Sequence, residues 1–136
     1  MDDEFGPATN AALASTSLEN TVALIARDAP YLWDDWFRES GNAPVRFQKR
    51  IELDNLTLAL SAARAGLGVT IAPRASIEEE LSTGALRAPF GFVARPSGYR
   101  LCCRIADRDR KPIAALRSWL MTEGRKQIPS KENLPQ

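Results

Sequence analysis

Few side chains in this chain of 136 residues could carry out chemistry, and the type that most often does is missing, because there is no histidine. That removes Ser-His and Cys-His nucleophile pairs and the commonest metal ligand. Two cysteines stand side by side, Cys102 and Cys103. A bridge between neighbours would be strained and would close no useful loop, so both are expected as free thiols. Two thiolates alone do not make a tetrahedral zinc site. As a redox sensor the pair would need exposure and a lowered pKa, and the sequence shows neither. The acids Glu78, Glu79 and Glu80 are consecutive, so on a helix they fan around the axis and cannot form a catalytic pair on one face. The sequence therefore predicts no catalytic residue, no metal, no cofactor, and a protein that is not an enzyme.

The remaining polar and aromatic groups read as binding or packing residues. Arg100, Arg104, Arg108 and Arg110 form a basic stretch, but Asp107 and Asp109 interrupt it, which suits a solvated face. With 18 basic and 17 acidic residues the formal net charge is +1. A nucleic-acid binder draws most of its affinity from phosphate neutralisation and usually shows a basic surplus, so direct DNA contact by these residues is not expected. Trp33, Trp36 and Phe37 recur at helical spacing and read as core rather than as a stacking site. No apolar run approaches the roughly 20 residues of a membrane helix. The acidic start Met1-Asp2-Asp3-Glu4 is unlike a secretory signal. Together with the free thiols, this leads to an expected cytoplasmic location.

The elements that would hold these residues follow from periodicity. Residues 1–17 are small and polar, with Gly6 and Pro7, and read as a loosely held segment with at most a helical turn near Asn10 to Ala14. Val22-Ala23-Leu24-Ile25-Ala26 is an apolar run suited to a strand covered on both faces. Asp28 is placed to cap a helix with Pro30 just inside it, Leu32, Trp33, Trp36 and Phe37 on one face, and Gly41 at its end. Phe47, Ile51 and Leu53 alternate with polar residues as a strand. Asp54 would cap a helix over Asn55 to Ala65 that is apolar nearly all round, with Gly66 in a left-handed cap. Val69-Thr70-Ile71-Ala72 resumes as a strand stopped by Pro73. Ser76 with Glu79 reads as a capping box before a short helix ended by Gly84. Leu86 to Phe90 reads as a short strand or an extended segment, and Tyr99, Leu101, Cys103 and Ile105 alternate as a strand. A last helix runs from Pro112, with Ile113, Leu116 and Leu120 on one side, to Gly124. The polar tail from Arg125 to Gln136 is expected to fray. Strands alternating with helices indicate an α/β fold with a mainly parallel sheet and flanking helices.

The stretch from Leu53 to Pro73, a strand leading into an alanine-rich helix and then Gly66-Leu67-Gly68-Val69 into a strand ending in proline, resembles the substrate-binding domain of LysR-type transcriptional regulators. Glu80-Leu81-Ser82-Thr83-Gly84-Ala85-Leu86 with Pro89-Phe90, Tyr99-Arg100-Leu101, and Ser118-Trp119-Leu120 are similar to that family's later steps. Asp34-Asp35-Trp36 through Gly41 looks like the Trp-rich segment of its glycine-cleavage regulators. Any one piece is weak, but five in order are specific, and they span about residues 10 to 124. The resemblance implies one lobe of a type II periplasmic-binding-protein-like fold, about Val22 to Phe92. The crossover strand at Tyr99 and the final helix would return to a second lobe. It divides the chain into a lead-in at 1–17, a partial effector-binding domain at 18–124 and a flexible tail at 125–136. DNA contact would then come only through a helix-turn-helix domain outside these residues.

By the same resemblance a small metabolite, acidic or amino-acid-like, would bind between the lobes. Candidate contacts are Asp54 and Asn55 at a helix start, where free N–H groups could hold a carboxylate. Asp54 would repel an anion and can equally be a cap alone. Thr70, Ile71 and Pro73 lie along a strand emerging at the sheet edge where ligands bind in open α/β sheets, and Arg27 follows a strand at the same kind of edge. With only part of the cleft here, weak or absent effector binding is expected. A final helix without its packing surface is expected to drive a homo-oligomer, most simply a dimer. Two other readings remain at this stage: a lobe of a solute-binding transport protein, or a small α/β enzyme using carboxylates.

Overall fold

The computed structural model describes residues 4–95 and 100–126, which fall into two compact units at that same division. The first, residues 4–95, is built on one five-stranded sheet. Its strands are β1 (Glu4–Ala8), β2 (Val22–Ala26), β3 (Lys49–Leu53), β4 (Val69–Pro73) and β5 (Val93–Ala94), in the spatial order β3-β2-β4-β1-β5. β2 runs parallel to β3 and β4, while β1 runs antiparallel to β4 and β5. Helices α1 (Leu32–Ser40), α2 (Leu56–Arg64) and α3 (Glu78–Thr83) connect them. The expected α/β architecture is what the chain adopts, but the sheet is mixed rather than mainly parallel, since two of its four strand pairings are antiparallel.

Two apolar cores sit on the two faces of the sheet. On one, Ala23, Ile25, Val69 and Ile71 meet Leu32, Trp33, Trp36 and Phe37 of α1, together with Phe5 and Phe47. Trp33 lies 4.6 Å from Phe47 by ring centroids and Trp36 5.2 Å from Phe37, both edge-on, as ring quadrupoles favour. The tryptophans are thus core, as their spacing indicates. On the other face Leu24, Ala26 and Ala72 receive Ala59, Leu60 and Ala63 of α2, with Ile77 and Leu86. Only that side of α2 is covered, since Thr57, Leu58 and Ser61 are exposed. The expectation of a helix buried nearly all round is corrected accordingly. Small residues allow α2 a close approach to the sheet, and Gly68 sits where a Cβ would collide with the Val22 carbonyl oxygen.

The beginning of the chain departs most from its sequence pattern. Residues 4–8, read as loosely held, form the buried strand β1, paired from Phe5↔Pro73 to Ala8↔Thr70. Glu, Gly and Pro are poor strand formers, and the neighbouring strand overrides that local preference. Pro7 is tolerated because β5 pairs only with Glu4 and Phe5, leaving no ladder bond on that side for its missing N–H. Beyond β1, Thr9 and Arg87 exchange both backbone hydrogen bonds, at 3.0 and 2.7 Å. That bridge is the only pairing the extended Leu86–Phe90 segment makes among the described residues.

Helix starts also differ from their sequence signals. Asp28 does not cap: a turn with Ala29 N–H donating to Ala26 O at 3.0 Å intervenes, and α1 begins after Tyr31 with no side-chain cap. Asn55, not Asp54, caps α2 by accepting from Leu58 N–H at 3.0 Å. Ser76 lies in a 3-10 turn and makes no capping box, and α3 starts after Ile77. The helix ends are as expected, with Gly41 at φ 70°, Gly66 at 81° and Gly84 at 78°. The third strand starts at Lys49, leaving Phe47 to pack into the α1 core from outside the ladder.

The second unit, residues 100–126, contains a 3-10 turn at Ile105–Asp107 and α4 (Lys111–Lys126). The alternating run from Leu101 to Ile105 is not a strand there, since a strand exists only by pairing and this unit offers it no partner among the described residues. Tyr99 lies outside the described residues. Asp107 pairs with Arg104 at 2.8 Å and with Arg110 at 3.2 Å, and the four arginines of the basic stretch are exposed, so it is a solvated face. Gly124 does not end α4, which continues to Lys126.

Candidate functional site

Parallel strands deliver the residues that follow them to one edge of the sheet. Arg27 follows β2, Asp54 and Asn55 follow β3, and Pro73 and Arg74 finish and follow β4. β1 is antiparallel, so its start reaches the same edge, and Glu4 pairs there with Arg74 at 2.8 Å. β2 is flanked on one side by β3 and on the other by β4, so the chain order reverses direction between β2 and β4. Ligands of open α/β sheets bind at such a switch point, outside the carboxyl ends of the strands.

The structure brings four of the six expected residues to this edge. Arg27 Nη1 lies 3.2 Å from Asp54 Oδ1 and its Nε lies 3.4 Å from Glu52 Oε2. All three side chains are more than 60% exposed, so these ion pairs are cheap to exchange for a ligand. Asn55 spends its side-chain oxygen on Leu58 N–H and its backbone oxygen on Ala59 N–H, which leaves its side-chain and backbone N–H groups for other contacts. Pro73 is half-buried at the strand end. Thr70 and Ile71 are different: at 1% and 2% exposure they are closed from solvent, so their side chains do not reach the edge. Both nevertheless line a crevice of about 10 Å³ at the β2–β4 switch point, with Leu24, Ile25, Ala26, Ala29, Leu32 and Trp33.

Sequence reasoning missed four members of this edge, Glu4 among them. Arg74 is the residue after Pro73 and follows its strand just as Arg27 follows β2, a signal that was present and unused. Arg95 follows β5 and lies over the rings of Phe5, at 5.3 Å, and Tyr31, at 6.0 Å. Tyr31 is half exposed beside it. Neither could be placed from sequence, because β5 is two residues long and its partner β1 was unrecognised.

Elsewhere in the 4–95 unit, an open depression of about 610 Å³ lies at the opposite end of the sheet, between Ala14, the end of α3 and residues 86–89. Its lining holds one ionisable group, Arg87, together with Ser82 and Thr83, whose hydroxyls donate to the backbone of their own helix at Glu79 and Glu80. Cys102 and Cys103 are exposed free thiols in the other unit. Among the described residues no group of three or more His, Cys, Asp or Glu is placed to hold a metal ion. No helix there is long and apolar enough to cross a membrane.

Comparison with known proteins agrees with this architecture. The family model for the LysR substrate binding domain matches residues 10–125. The HTH-type transcriptional regulator TrpI of Pseudomonas aeruginosa is 35% identical over 92 residues, covering 67% of this chain and 30% of that protein. The HTH-type transcriptional activator AmpR of Providencia stuartii is 35% identical over 95 residues, covering 69% and 32%. Among solved structures, the effector domain of AmpR from Pseudomonas aeruginosa superimposes with a TM-score of 0.73 at 24% identity, covering 93% of this chain and 64% of that one. The AmpR effector binding domain of Citrobacter freundii gives 0.62 at 21%, covering 92% and 65%. The chain thus spans about a third of the length of the curated regulators it matches, and those relatives are regulators of transcription rather than enzymes.

Proposed function

This chain belongs to the LysR substrate-binding domain family, and from that premise we propose that it senses a small-molecule effector for a transcriptional regulator. The observation that carries the reading is the convergence of Arg27, Asn55, Pro73 and Arg74 on the carboxyl edge of β2, β3 and β4 at the switch point. Two guanidinium groups held there by exposed, exchangeable ion pairs suit an effector bearing a carboxylate. The ligand would lie between this lobe and a second one, and its preference for the closed arrangement would shift the regulator between two states. DNA contact would belong to a helix-turn-helix domain elsewhere in the regulator, and the protein would act in the cytoplasm. A likeness to glycine-cleavage regulators remains part of this proposal.

One lobe buries only part of a ligand, so this chain alone should bind a carboxylate metabolite with a Kd of about 1 mM or weaker. Titrating amino acids and dicarboxylates into the isotope-labelled chain, followed by amide chemical shifts, tests this. Shifts confined to the neighbourhoods of Arg27, Asn55 and Arg74, lost in Arg74→Ala, support it. Shifts at the Arg87 depression instead would overturn it.

The chain should also self-associate. α4 exposes Leu116, Trp119, Leu120 and Met121 on one helix, and a net charge of +1 offers little repulsion between copies. We propose a second copy as the occupant of that face, with dimeric mass in light scattering as the expected result and monomeric mass as the contrary one.

A further inference from the structure

The junction between β2 and β4 is unlike the others. β2 pairs with β3 over its full length, from Val22↔Lys49 to Ala26↔Leu53. Its ladder with β4 stops after Ala23↔Val69 and Leu24↔Thr70, although the strands continue to Ala26 and Pro73. The crevice of about 10 Å³ lies at this parting, and Trp33 lines it from the first turn of α1. Trp33 is 2% exposed, and its indole Nε1–H is buried without a hydrogen-bond partner among the described residues. Buried donors in folded proteins are rarely left unpaired, and an isolated one points to a bound group.

Size and charge select that group. A volume of this order holds one water molecule and no larger ligand. α1 starts here with no side-chain cap, but Asp34 and Asp35 in its first turn already answer the positive end of the helix, so an anion is not called for. An apolar group would leave the indole N–H unsatisfied. We propose that a single structural water is bound in this crevice, accepting a hydrogen bond from Trp33 Nε1–H and bridging the backbones of β2 and β4 where their ladder ends. It fastens the start of α1 to both strands, directly under the turn that carries Arg27. The inference does not depend on effector binding.

Trp36 supplies an internal control. Its Nε1–H is also buried and unpartnered, but it does not line the crevice. Edge-on ring contacts are common to both indoles, Trp36 with Phe37 at 5.2 Å and Trp33 with Phe47 at 4.6 Å, so the crevice is what distinguishes them. The experiment is water-to-indole cross-relaxation on the isotope-labelled chain. Each indole Hε1 is assigned through its own ring protons to the backbone amide of Trp33 or Trp36. The expected result is a long-lived water cross-peak at Trp33 Hε1 and none at Trp36 Hε1, with Trp33→Phe losing one slowly exchanging water in oxygen-17 relaxation dispersion. Absence of the Trp33 cross-peak, or equal cross-peaks at both indoles, would overturn the proposal. The wild-type measurement decides the matter even if Trp33→Phe does not fold.

Discussion

Helices α1 and α4 carry nearly the same sequence message and meet opposite fates. α1 presents Leu32, Trp33, Trp36 and Phe37, all between 1% and 6% exposed. α4 presents Leu116, Trp119, Leu120 and Met121, all between 38% and 59% exposed. The difference is not in the helices. α1 is delivered by β2 onto a sheet face where Ala23, Ile25, Val69 and Ile71 await it, whereas the unit that contains α4 holds no strand among its described residues. An amphipathic helix specifies that it will be covered, and the rest of the fold decides by what.

The sharpest way to break this comparison is to truncate a tryptophan in the covered helix. Trp36 is 1% exposed and edge-on to three rings, Trp33, Phe37 and Phe90. Trp36→Ala should cost about 3–5 kcal/mol, transfer and cavity together, which is a large share of a small domain's stability. Urea denaturation checks it, and a loss below about 1 kcal/mol would mean the α1 core is far looser than its packing indicates.

Glycines give the same contrast at smaller scale. A Cβ on Gly68 would collide with the Val22 carbonyl oxygen and press on Leu24, so Gly68→Ala should destabilise the 4–95 unit by about 1–3 kcal/mol, as overpacking does. Gly124, inside α4, has nothing within 4 Å of an added Cβ. There Gly124→Ala should stabilise the helix by about 0.5–1 kcal/mol, read as a gain in far-ultraviolet helicity. If both substitutions lowered stability alike, the notion of one packed region and one unpacked one would fail.

These elements also mark how far the sequence could be read. Periodicity located α1, α2, β2 and β4 and put Arg27 and Pro73 at strand ends, because a strand run stopped by a turn tells where its last residue points, while the family resemblance singled out Asp54 and Asn55. Periodicity did not reveal β1, since Glu4-Phe5-Gly6-Pro7-Ala8 carries turn formers and becomes a strand only between β4 and β5. With β1 unseen, Glu4, Arg95 and Tyr31 could not be assigned to the edge. Residues 101–105 are the converse case, a strand pattern with no partner in its unit. Sheet membership is decided between segments distant in sequence, and local pattern carries only half of it. Cap signals failed for a related reason: Asp54 and Asn55 are adjacent and equally suited, and the ion pair with Arg27 engages Asp54 while Asn55 bonds Leu58 N–H.

That assignment is itself testable at the next smaller magnitude. Asn55→Ala removes the acceptor for Leu58 N–H and should cost about 1 kcal/mol. Asp54→Ala should cost less than about 0.5 kcal/mol, because it loses only an exposed ion pair with Arg27. The reverse order in thermal denaturation would restore Asp54 as the cap.

The smallest effect on stability should come from the exposed helix, and there it becomes the most informative about assembly. Trp119 is 59% exposed, so in an isolated chain Trp119→Ala removes little buried area and should change unfolding free energy by no more than about 0.5 kcal/mol. If a second copy covers α4, the same substitution removes a large aromatic anchor from an interface, where such residues dominate the energy. The two readouts then separate. Denaturation at low concentration, where the chain is monomeric, should be unchanged, while light scattering at high concentration should shift from dimer toward monomer. A variant that stays dimeric would place the contact on another surface, and the comparison between α1 and α4 would then concern local packing alone.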